Sequence, residues 1–161
     1  MKALRFTLIL IMLGTPLLAG ATNWVPIGST NTNPSPRWAN LPDDAIVSDN
    51  GVSLLIDKDS IRNSGKNVKA WVMWQYSNPQ EVTFLNPTKH YLSQKVLEVF
   101  DCVNVKFGSS QIIDYADLNG GDVVDIVSTD EHLIKLTEPP PESMGESLLN
   151  YVCNEAKKKK K

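Results

Sequence analysis

The sequence predicts an α+β domain in which a set of antiparallel strands precedes a single C-terminal helix. Three observations carry this. Apolar and polar residues alternate through several short segments bounded by Gly, Pro, Asn and Asp, the period of half-buried strands. Only Glu142–Ala156 shows an apolar stripe at helical spacing. The two cysteines fall one in each kind of element, Cys102 in the strand-like run Leu97–Phe107 and Cys153 in the helix.

The first segment is an export signal rather than part of the fold. Lys2 and Arg5 precede the apolar run Phe6–Leu13, Gly14 and Pro16 break it, and Ala19-Gly20-Ala21 supplies small residues for cleavage. The expected organisation is a signal peptide over 1–21, one domain over 22–156 and a disordered lysine tail over 157–161. The apolar run is too short to span a bilayer and no other span follows, so no transmembrane span is expected. Leu18-Ala19-Gly20 resembles the start of a lipoprotein processing site, but Ala21 stands where the lipidated cysteine would be. The expectation is an exported, unlipidated protein of the periplasm or cell surface.

In that compartment two cysteines are expected to pair rather than to remain buried thiols. A Cys102–Cys153 bond is worth about 2–4 kcal/mol by loop-closure arithmetic. All 18 Asp and Glu precede residue 157, whereas Lys157, Lys158, Lys159, Lys160 and Lys161 end the chain. The acidic body argues against a nucleic-acid surface. The lysine run offers weak, salt-sensitive attraction to an anionic partner, or simply a solvated tail.

Trp24 opens a short first strand within Asn23–Ile27, and Gly28–Asn50 reads as a long loop in which Trp38 and Leu41 pack on the body or make contacts. Val52–Asp57 is a strand with Val52, Leu54 and Ile56 on one face. A turn region follows, with Ile61 tucked inward and Ser64-Gly65 closing a hairpin. Val68–Tyr76 is the strongest strand, with Val68, Ala70, Val72 and Trp74 on one face and Lys69, Trp71, Met73 and Gln75 on the other. Asn78–Pro87 reads as a connector. Tyr91–Phe107 reads as one long central strand with a bulge near Asp101, and Gly108–Ser110 as the turn that ends it. Gln111–Tyr115 and Val123–Thr129 are strands around the turn Asn119–Asp122, and Leu133–Leu136 is a short last one. The helix has acids at its start, lysines at its end, and Met144, Leu148, Tyr151 and Val152 as its apolar stripe, so it needs the sheet to pack on.

Catalytic patterns are missing. His90 and His132 are the only histidines and show no local metal-ligand spacing, both cysteines are committed to a bridge, and neither a nucleophile elbow nor a phosphate loop occurs. Asp57/Asp59 and Asp122/Asp125 offer too few oxygens for calcium and suit turns. No enzyme activity and no metal are expected. Trp71, Trp74, Tyr76 and Phe84 form an aromatic cluster. Trp71 and Met73 make a partner contact if their face is open and core if the helix covers it; packing is the commoner fate of a strand Trp.

Four stretches in order are similar to the bacterial surface-adhesin protein E family: Trp24 after the signal, Leu54–Tyr76, Val99–Cys102 and Pro141–Cys153. The resemblance implies an antiparallel sheet of about six strands with the helix tied to its concave face by the disulfide. It also implies an adhesin that binds vitronectin and laminin, and is able to bind haem and to form a homodimer. A haem site would draw on His90 or His132, with Tyr91 or Met73 nearby. Ala21 and the long Gly28–Asn50 loop depart from the family pattern.

Overall fold

The computed structural model describes residues 22–27, 51–82, 85 and 87–159. The signal segment, the Gly28–Asn50 loop with Trp38 and Leu41, Phe84, and Lys160 and Lys161 lie outside the described residues.

Seven strands form one antiparallel sheet: β1 (Trp24–Pro26), β2 (Val52–Asp57), β3 (Arg62–Ser64), β4 (Asn67–Val82), β5 (Lys89–Asp101), β6 (Lys106–Tyr115) and β7 (Val123–Ser128). Their spatial order is β1-β2-β4-β5-β6-β7, with β3 on β4 as a hairpin turned through Gly65 at φ +60°. The helix α1 (Met144–Lys158) follows.

Register decides the faces. Ile56↔Val72, Val72↔Val96 and Val96↔Ile112 stand side by side across four strands, so the alternate residues Leu54, Val68, Ala70 and Phe100 share their face. This face takes α1, which buries Leu148, Leu149, Val152 and Ala156 against it. Each of the two leucines and the valine contributes about 1.5–3 kcal/mol of burial. Phe100 and Phe107 stack beneath the helix start, with ring centroids 5.8 Å apart. Cys102 and Cys153 are bonded, Cα to Cα 5.6 Å. Ser143 caps the helix, its Oγ accepting from Glu146 N at 3.2 Å.

Four readings of the sequence change. The stretch Tyr91–Phe107 is not one strand: β5 stops at Asp101 and β6 starts at Lys106. The Asp101 carboxylate ends it, Oδ1 accepting from Val103 N and Asn104 N and Oδ2 from the Asn104 side chain. These bonds hold its pKa below the usual carboxylate range. Aspartate at that place marked a turn, not a bulge. The bulge lies at Leu97/Glu98 against β6. Gly108–Ser110 is therefore inside β6, and Gly108 is needed there because a Cβ would sit 2.6 Å from Lys135 O. The Asn78–Pro87 connector is shorter than expected, since β4 runs on to Val82. Leu133–Leu136 is not a strand: a 3-10 turn at Glu131–Leu133 leads to a single bridge, Phe107↔Thr137.

The tail expectation also changes. Lys157 and Lys158 belong to α1, and Lys159 caps it, its Nζ donating to Lys58 O and Ile61 O. The cations suit the helix's negative end, Lys158 pairing with Glu155 and Lys159 finding the two carbonyl acceptors.

Candidate functional site

The face opposite α1 is where Trp71 and Met73 lie, with Lys69 and Gln75 on the same strand. It is closed by two segments of chain instead of a helix. Segment 116–122 folds back over it: Gln75 Nε2 donates to Leu118 O at 2.8 Å, and Ser93 Oγ to Asp117 O at 2.6 Å. Asp117 shapes this loop by accepting from the backbone N–H groups of Asp122, Asn119 and Gly121. Those bonds, that from Asp122 foremost, lower its pKa. The second segment crosses at Lys135, beside Gly108, and is pinned by the Lys69–Glu131 ion pair at 3.1 Å.

Met73 is consequently buried, 4% exposed, and is no contact residue. Trp71 is half-buried and reaches a groove of about 250 Å³ lined with Trp24, Asp57, Lys95, Ile113 and Tyr115. The Lys95 ammonium sits 5.0 Å from the Tyr115 ring centre. Asp57 Oδ1 accepts from Asp59 N, a turn bond as expected of that pair. Among the described residues no group of His, Cys, Asp and Glu is placed to hold a metal ion. His90 and His132 are exposed, and neither lines this groove.

Beyond the reach of α1, the helix-side face ends in a polar chain. Tyr76 OH donates to Gln94 Oε1 at 2.8 Å, and Gln94 Nε2 donates to Asp114 Oδ1 at 2.7 Å. Burial raises the Asp114 pKa, and Asp125, its partner across β6 and β7, raises it further. Tyr76 is pushed up by burial too. These groups present hydrogen bonds but no activated nucleophile.

The sheet edge at β7 stands out. Val123, Ile126 and Val127 are 51%, 54% and 42% exposed, and Leu133 just beyond is 64% exposed. The strand has no proline or lysine; its edge protection is the single charge of Asp125 and the irregularity in its pairing at Asp114/Tyr115. Its exposure was not legible in the sequence, because alternation says a strand has two faces and not that one of its edges is unpaired.

A family model described as surface-adhesin protein E matches residues 38–154. The chain belongs to the surface-adhesin protein E family. Its fold is also similar to solved structures of Haemophilus influenzae protein E. One, from a non-typeable strain, is 15% identical with a TM-score of 0.51, covering 82% of this chain and 84% of that one. A second, from another crystal form, is 12% identical with a TM-score of 0.50, covering 65% and 82%. At such identities the likeness is one of fold alone. No curated protein matches by sequence. The family is one of surface adhesins, so a binding protein is the coarse function. No helix among the described residues is long and apolar enough to cross a membrane.

Proposed function

We propose that this member of the protein E family is an exported, non-enzymatic binding module that takes an extended segment of a host extracellular-matrix protein, vitronectin or laminin, along β7. The observation that carries the proposal is the bare apolar edge formed by Val123, Ile126 and Val127. An extended peptide added there gains backbone hydrogen bonds along its length, its side chains on one face meeting Val123 and Ile126 and those on the other meeting Val127. The groove at Trp71 lies on the face of Ile113, which pairs with Ile126, so a longer ligand can reach both.

The test is binding of the purified chain to immobilised vitronectin and laminin. Ile126→Lys with Val127→Lys should weaken binding at least about tenfold with little change in melting temperature, because both side chains are exposed. Undiminished binding by that variant would remove β7 from the interface. Binding that disappears in moderate salt is charge attraction by the terminal lysines and counts against recognition by the folded body. Cell fractionation checks the setting: protein confined to the periplasm favours an envelope-accessory role over adhesion.

A further inference from the structure

The groove at Trp71 holds two opposite charges that stand apart from each other. Five strands build it: Trp24 comes from β1, Asp57 from β2, Trp71 from β4, Lys95 from β5, and Ile113 and Tyr115 from β6. Trp24 pairs with Asp57 across β1 and β2, and Lys95 pairs with Met73, two residues along β4 from Trp71. Since β4 lies between β2 and β5, the two charged residues sit two strand spacings apart, about 10 Å. Asp57 is only 8% exposed, and its Oδ1 accepts from Asp59 N. Lys95 is half-buried, donates to Gly120 O at 3.4 Å and lies over the Tyr115 ring. Among the described residues neither Asp57 nor Lys95 enters an ion pair. The other charges nearby are engaged or solvated. Lys69 is paired with Glu131, and the Asp117 carboxylate is turned into its own loop. Asp59, Arg62 and Asp122 are exposed.

We propose that this groove binds a small zwitterion, a phosphate ester of choline, with its quaternary ammonium group against Trp24, Trp71 and Asp57 and its phosphate on Lys95. A quaternary ammonium has no N–H to donate. It is held instead by the negative faces of indole rings and by a nearby carboxylate, the groups gathered at the Asp57 end. The Lys95 ammonium supplies a charge-assisted hydrogen bond to a phosphate oxygen at the other end. A carboxylate and an ammonium taken partly out of water without counter-charges carry a desolvation cost, and a ligand charged at both ends offsets both. A neutral sugar would offset neither, and a simple cation only one. The groove, about 250 Å³, is smaller than the pockets of drug-sized ligands and suits a headgroup. The inference does not depend on what β7 takes.

Isothermal titration of the purified, disulfide-bonded chain with phosphocholine, choline, inorganic phosphate and glucose tests this. Phosphocholine should bind, choline should bind roughly tenfold more weakly, and phosphate and glucose should give no binding heat. Asp57→Asn keeps the oxygen that accepts from Asp59 N, so the turn is retained, and should weaken phosphocholine and choline alike by about tenfold. Lys95→Gln should lower the phosphocholine affinity by about tenfold, to the level of choline, and should not weaken choline. A general loss of structure would weaken both ligands in both variants, so the split between them reports the seating. No binding of phosphocholine by the parent would overturn the proposal. So would glucose binding as tightly as phosphocholine, which would make the groove a saccharide site. Equal losses of choline and phosphocholine in Lys95→Gln would overturn the placement of the phosphate. Cosedimentation with phosphatidylcholine vesicles names the source: pelleting that free phosphocholine reverses supports a membrane headgroup, and binding of the free ester alone supports a soluble one.

Discussion

On one face of the sheet, α1 lies over Leu54, Val72, Val96 and Phe100 and is bonded to it through Cys102–Cys153. On the other, segments 116–122 and 129–137 cross Met73, Gln75 and Val99, held by hydrogen bonds from Gln75 and Ser93, the Lys69–Glu131 pair and the Phe107↔Thr137 bridge. The first face is closed by apolar area and a covalent link, the second by polar contacts of the chain with itself. Apolar burial scales with area and needs no particular geometry, whereas a loop held by a few bonds leaves openings where those bonds do not reach. This is why the groove at Trp71 and the bare β7 edge occur on and beside the second closure. Stability therefore sits with α1, and the Trp71 groove and the β7 edge sit away from it.

Changes under α1 should cost the most. Leu148→Ala is expected to destabilise by about 2–5 kcal/mol, read from denaturant unfolding, because Leu148 is wholly buried in the sheet–helix core. A loss near zero would mean that α1 does not stabilise the sheet. Cys102→Ser should cost about 2–4 kcal/mol. Hydrogen exchange should then show the amides of α1 exchanging well before those of β4 and β5, since a helix of this length is marginal alone. Equal protection in the oxidised protein and the variant would show that the apolar contacts alone secure the helix.

Glu98 gives the helix face a pH dependence. It sits between Val96 and Phe100 in strand parity, is 4% exposed, and its carboxyl accepts a hydrogen bond from Ser109 Oγ. Burial pushes its pKa up from 4.5 to about 7. A raised folded-state pKa means that the native protein binds this proton more tightly than the unfolded chain. The contribution is complete below about pH 4.5 and is lost as pH rises through about 7. Glu98→Gln should thus stabilise the protein at neutral pH, by about 1–3 kcal/mol, and flatten stability against pH across that window. Melting curves in which parent and variant keep the same pH slope would contradict this.

Smaller effects belong to the polar closure and the turns. Asp117→Ala removes the carboxylate that accepts from three backbone N–H groups of segment 116–122 and should cost about 1–2 kcal/mol, with increased oxidation of Met73 as its local sign. If Met73 stays as protected as in the parent, the loop holds without Asp117. Val105→Gly should stabilise by about 0.5–1 kcal/mol, because a β-branched residue at φ 57° is strained in a conformation that glycine adopts freely.

Much of this was legible in the residues. The period-two runs located β2, the first half of β4, and β7, and the helical stripe located α1 with its buried residues, because these patterns reflect burial on one side of an element. The pairing of Cys102 with Cys153 followed from compartment and count. The Asp101 turn was misread because Val103 and Val105 continue the alternation without a glycine or proline to break it. The two signals for a turn, Asp101 and Asn104, act through side-chain bonds to neighbouring backbone, which periodicity does not register.

The sequence by itself determined the class of the fold, the two faces of its main strand, the helix and the staple between helix and sheet. All of these depend on the spacing of apolar residues and on the chemistry of two thiols. Only the tertiary structure decided which face α1 covers, that Met73 is buried beneath a returning loop, that β7 meets no further strand among the described residues, and that Lys159 is held on Lys58 O and Ile61 O. Those outcomes depend on contacts between segments far apart in the chain, and no local pattern of residues encodes which segment will arrive.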